Sequence, residues 1–247
     1  MSVMQTNRET GGAGNDSRPW SDAVWLAGVD IRRTWGAYLA SAGYVAMLGL
    51  FIAVSGTMNP GTYSFEVIMF SVGLILTTPF FAREYMSWST DPIAERLTWL
   101  RVLPIGIPTI VWSRAIAILM ALLLNPVAFF TPLWFGGRWT MDRGEFVWFA
   151  VAMTGVSLSG AGFTLAMEMS VGIRRWVLTN IVMIVVAIVA ISVVGLATGF
   201  RVFEQLTRAA SWNGPLVALI CLVLGCVVFL GCVRLAKDGL RRRELPA

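Results

Sequence analysis

Six stretches of 16 or more residues carry no Asp, Glu, Lys or Arg: 34–65, 67–82, 115–137, 146–167, 176–200 and 209–233. A helix needs about 20 mostly apolar residues to cross the hydrocarbon core of a bilayer. Lipid offers the backbone no partners, so only helices or closed barrels cross it. Runs such as IVMIVVAIVAISVV (181–194) show none of the apolar–polar alternation of a barrel strand. The pattern predicts an all-α membrane protein with six transmembrane helices, their cores near 36–56, 66–82, 114–135, 146–168, 176–199 and 214–234. The second run is short and reaches span length with Glu66 or the aliphatic stem of Arg83 at an interface.

Polar punctuation divides the rest. Residues 1–19 are rich in Gly, Ser and Asn without an apolar core, which predicts a disordered cytoplasmic tail and no cleavable signal sequence. In 20–35, Trp20, Val24, Ala27, Ile31 and Trp35 recur at helical spacing, while Asp22, Asp30, Arg32 and Arg33 take other faces. This predicts an interfacial amphipathic helix, capped by Ser21 and stapled by Trp20 and Trp25. The transmembrane domain then covers 36–234, with a basic cytoplasmic tail at 235–247.

The longest polar connection, 84–113, has a pattern of its own. Thr90 or Asp91 followed by Pro92 is a helix-start signal. Ile93, Leu97, Leu100 and Leu103 then repeat at i, i+4, i+7 and i+10 on one face, with Glu95, Arg96, Thr98 and Arg101 on the others. Pro104 disfavours helical geometry at Leu103 and removes a donor, so the helix should end there. The expected arrangement is a short amphipathic helix, a break set by Pro104 and Pro108, and a third span beginning near Val111.

Composition agrees: 57% of the 247 residues are hydrophobic and 13% charged, against about 25% charged in an ordinary soluble domain. Charge adds an orientation. With six spans, fifteen Lys and Arg fall on the side of the termini and four (Arg138, Arg143, Arg201 and Arg208) on the other. The positive-inside rule then places both termini in the cytoplasm. The net charge of +5 is a topology signal, and nucleic acid is not an expected partner.

The chain has no histidine and one lysine, Lys237, with no phosphate-binding Gly-rich loop before a Lys. His-based acid–base catalysis, the usual zinc sites and a Walker-type nucleotide site are therefore excluded. GVSLSGAG (155–162) has the outline of a serine-nucleophile motif, but lacks a histidine base and is better read as close helix packing. Cys221, Cys226 and Cys232 lie in the last span as small apolar residues. Glu168 is expected to pair locally with Arg174 or Arg175. Pro79, Asn125, Pro126 and Asn180 are the weak candidates for a substrate path, through kinks or polar contacts within spans.

LxxLRVLPIxxxxIVxSR, with Leu97, Leu100, Leu103, Pro104, Ile105, Ile110, Val111 and Arg114, resembles the corresponding segment of type-2 ABC transporter permeases. So does FxxE at Phe81 to Glu84, together with the six-span plan. The resemblance implies a permease subunit in the cell membrane of a bacterium. It would work as a homo- or heterodimer, driven by a separate ATPase subunit that binds ATP and Mg, most simply as an exporter. It also implies that Asp91, Pro92, Ile93, Glu95, Arg96, Leu97, Leu100, Arg101, Leu103, Pro104 and Ile105 form the ATPase-coupling segment, its apolar face filling a groove on the partner. This chain itself would bind no cofactor and catalyse nothing. An accessory membrane protein is the alternative, ahead of an intramembrane lipid-modifying enzyme.

Overall fold

The computed structural model describes residues 19–55, 62–77, 92–102, 105–136, 142–171 and 173–243. Within them the chain is helical and contains no strand. In chain order the helices are α1 (Pro19–Ser55), α2 (Tyr63–Ile75), α3 (Pro92–Val102), α4 (Ile107–Gly136), α5 (Arg143–Ser170), α6 (Ile173–Thr198) and α7 (Val202–Arg242). Four of these, α1, α4, α5 and α7, are long and apolar enough to cross a membrane. The helix α2 has 13 residues and α6 has 26.

Tryptophans set a scale for the bundle. Trp112 opens α4 and Trp134 closes it, 22 positions apart, a rise of about 33 Å along an α-helix. That length is comparable to a hydrocarbon core of about 30 Å, and tryptophan is enriched at the two headgroup levels of a bilayer. Trp20 and Trp25 are exposed at the first end, Trp148 and Trp212 at the second.

Two pairings of long helices build the core. Along α1 and α4, the Tyr38 hydroxyl donates to the Ala117 carbonyl at 2.9 Å, and Gly49 lies so close to the Phe129 backbone that a Cβ has no room. Between α5 and α7, a Cβ on Gly155 would stand 2.6 Å from the Cys221 carbonyl carbon, and one on Gly162 would stand 2.9 Å from the Phe229 Cα. The GVSLSGAG run is thus where two backbones meet. In lipid, where apolar side chains gain nothing by leaving a solvent, close approach and dispersion hold such pairs. Buried apolar residues form two clusters. One surrounds Leu97, Leu100, Val111, Leu165 and Val233, and the other surrounds Phe65, Phe129, Phe149 and Met153.

Several boundaries differ from the expectations. Residues 20–35 are not a separate element: α1 runs unbroken for 37 residues, because no Pro or Gly pair interrupts it between Trp20 and the span. It starts at Pro19, so Ser21 lies inside its first turn and bonds Asp22 rather than capping. The Trp20 ring meets Trp112 at 4.6 Å, and Trp25 is 70% exposed. The helix α4, expected as the third span, begins at Ile107 rather than near Val111. Pro108 sits in its first turn, where a missing N–H costs nothing. Residues 235–242, in the segment expected as a basic tail, continue α7 as its last turns.

The helix α7 contains a break where a loop was expected. Asn213 has φ −149° and ψ 72°, two residues before Pro215, so the element is two helices in series. The Asn213 side-chain oxygen accepts from the Leu216 N–H at 3.4 Å and caps the second. The first, from Val202, is capped from another helix. The Glu66 carboxylate of α2, 1% exposed, accepts the Phe203 N–H at 3.0 Å and the Glu204 N–H at 2.8 Å. Glu66 is therefore a buried capping group.

Candidate functional site

Alone among the described helices, α3 is short and has a mean hydropathy near zero. Its sequence explains where it lies. Leu97 and Leu100, three apart, share one face and are each 2% exposed, packed with Leu26, Ile110 and Met169 in the core cluster of α1, α4 and α5. The expected apolar face exists at Leu97 and Leu100, and the chain's own helices fill it. Glu95 and Trp99 take the opposite side, Trp99 with 62% of its surface exposed.

Beside these leucines lies a buried group of charges from four elements. Arg96 of α3 pairs with Asp30 of α1. Arg114 of α4 donates from Nε to Glu168 of α5 at 2.6 Å, with side-chain exposures of 8% and 1%. Arg243, just beyond α7, donates from Nη1 to the Glu168 backbone carbonyl at 2.8 Å. Burial, then the positive charge of Arg114, draws Arg96 down to about 10, with Glu168 opposing. The space between Arg96, Leu97, Leu100, Ile110, Arg114 and Glu168 is about 10 Å³, room for one water at most. The site is packed, not open. Its chemistry is that of a clamp: the Arg114–Glu168 pair is buried and the Arg96–Asp30 pair only partly exposed, so each ion depends on its partner in place of water.

Sequence reasoning missed this group. Glu168 pairs with Arg114, 54 residues upstream, while the side chains of Arg174 and Arg175, its expected partners, lie outside the described residues. Asp30 had been read only as a polar position on the first helix, yet it fixes α3. A signal did exist: Arg114 opens one apolar run and Glu168 closes another, so both stand at the same depth.

The remaining expected residues separate. Pro92 opens α3, and Ile105 packs against the core cluster. The side chains of Pro92, Ile93, Arg101 and Asn180 lie outside the described residues, as do Asp91, Leu103, Pro104, Pro79 and the Phe81 to Glu84 motif altogether. Asn125 is buried and donates from Nδ2 to the Leu76 carbonyl at 3.2 Å, tying α4 to the end of α2. Pro126 does line an open groove of about 320 Å³ between α4 and α5, with Phe130, Trp134, Phe146, Ala150 and Thr154. Among the described residues no cluster of three or more His, Cys, Asp or Glu could hold a metal. No known protein family, curated protein or solved structure matches the chain.

Proposed function

We propose that the chain is the transmembrane permease subunit of an ABC-type transporter, with α3 as the element that receives motion from a separate ATPase. The observation that supports this best is the seating of α3. A short, polar-faced helix beside the start of α4 is fixed on its inner side by Leu97, Leu100 and the Arg96–Asp30 pair, while Glu95 and Trp99 face outward. A helix held this way does not slide alone. Force applied to its outer side passes through Asp30 to α1, and through the shared leucine cluster to α4 and α5. An exposed Trp beside a carboxylate suits an interface anchor, since aromatic residues carry much of the binding energy at protein contacts.

In this reading α2 belongs to the second span and α6 is the fifth. Six spans and the excess of arginine then put both termini and α3 in the cytoplasm. Two such subunits enclose the path, ATP and Mg belong to the ATPase, and the groove beside Pro126 is the part of the path that the described residues contain. The reading is tested by purifying the complete chain from its native cell and assaying the copurified ATPase. Leu100→Asp would strike the fold, because Leu100 is interior. Trp99→Asp is the cleaner probe: it should leave the melting temperature unchanged and lower both ATPase retention and coupled transport. If no ATPase copurifies, the accessory reading takes over.

A further inference from the structure

The end of the bundle that holds α3 carries a second constellation, separate from the ion-pair clamp. The Trp112 ring has the Trp20 ring on one side, at 4.6 Å between centroids, and the Lys237 ammonium 5.6 Å from its own centroid. Lys237 does not stand alone. At about 100° per residue, Lys237, Arg241 and Arg234 fall within one sector of α7, on the flank next to the buried Val233 and Leu240. Arg234 and Arg241 are exposed, and Asp238 meets Arg241 at 3.7 Å. The sector therefore keeps an excess of two positive charges. Trp112 also marks one end of the 33 Å-scale tryptophan spacing on α4, so these cations stand at headgroup depth. Trp20 is 55% exposed, and its indole presents an apolar face beside them.

We propose that this corner, formed by Trp20, Trp112, Lys237, Arg241 and Arg234, is a binding site for the headgroup of an anionic phospholipid. The lipid phosphate meets Lys237 and Arg241, which already lie in a juxtamembrane position where anionic headgroups concentrate. The indoles of Trp20 and Trp112 take the glycerol and upper acyl region, the depth at which tryptophan settles in bilayers. A zwitterionic headgroup would bring its own cation against Lys237 and gain less. A free phosphate would lack the apolar contacts. This assignment stands on the geometry of the corner and is independent of the permease reading.

The test uses the full chain in detergent, with native mass spectrometry counting retained lipid. The probes are phosphatidylglycerol, phosphatidylcholine of the same acyl composition, and inorganic phosphate. Wild type should retain phosphatidylglycerol in preference to phosphatidylcholine, and phosphate should not displace it. The double variant K237Q/R241Q should bind phosphatidylglycerol about thirtyfold more weakly, each removed cation being worth roughly fivefold. The charge-preserving K237R/R241K should bind like wild type, which separates loss of charge from loss of fold. R242Q, on another face of α7, should also bind like wild type. Equal retention of the two lipids by wild type, or undiminished phosphatidylglycerol binding by a folded K237Q/R241Q, would overturn the assignment.

Discussion

Replacing Glu168 by Gln removes one charge from the most buried ion pair in the described residues. Before the change, Asp30 and Glu168 face Arg96 and Arg114, with the Arg243 guanidinium on the Glu168 carbonyl. After it, three described cations, Arg96, Arg114 and Arg243, remain with one described carboxylate, Asp30. Breaking a buried pair by removing one partner costs about 3–5 kcal/mol, and in a chain of this size each kcal/mol moves the melting temperature by roughly 2–4 °C. E168Q should therefore lower the apparent melting temperature by about 10 °C, read from tryptophan fluorescence in detergent. Arg114→Met is a sharper comparison, because it leaves two cations facing two anions; its loss should be the smaller. R114L/E168L removes both charges and should melt closer to wild type than E168Q alone. An E168Q protein that melts with wild type, or an R114M protein that melts below E168Q, would refute the charge count.

Other changes test the packing and the caps. Gly155→Ala places a Cβ against the Cys221 carbonyl and should destabilise by about 1–3 kcal/mol; Gly231→Ala, with open space at its Cβ, should be neutral or stabilising by up to about 1 kcal/mol. Glu66→Gln weakens two charge-assisted bonds to the start of α7, so hydrogen exchange at Phe203 and Glu204 should accelerate while exchange in α5 stays constant. Arg96 is protonated at neutral pH because its value of about 10 lies well above 7. Between about pH 10 and its unfolded value the unfolded chain binds the proton more tightly, so stability relative to Arg96→Met should rise with pH. A flat difference in urea melts across pH 9.5 to 11 would count against that.

How far the sequence was legible depends on the range of each interaction. Charge-free runs exposed the long helices because lipid burial leaves a continuous local mark, and Pro92 marked the start of α3. Glycine density at 155–162 pointed to close packing without saying that α7 was the neighbour. Helical periodicity identified Leu97 and Leu100 as one face, but periodicity is blind to what covers it. The same blindness hid the pairing of Glu168 with Arg114, which stands at the same depth on another helix, 54 residues away. The cap that Glu66 provides to α7 crosses 137 residues and leaves no local pattern. The break at Asn213 could have been read from Pro215 two residues later, since proline withholds a donor from the helix.

The proposed coupling role of α3 is tested most directly by chemistry on its outer face. In a chain whose Cys221, Cys226 and Cys232 are replaced by Ala, a cysteine at Trp99 is treated with a short bifunctional maleimide after purification from native membranes. The account predicts a crosslink to a copurifying ATPase whose yield changes when ATP is added, and none from a cysteine at Trp212 on the opposite end. An absent ATPase, or equal crosslinking from both positions, would contradict it.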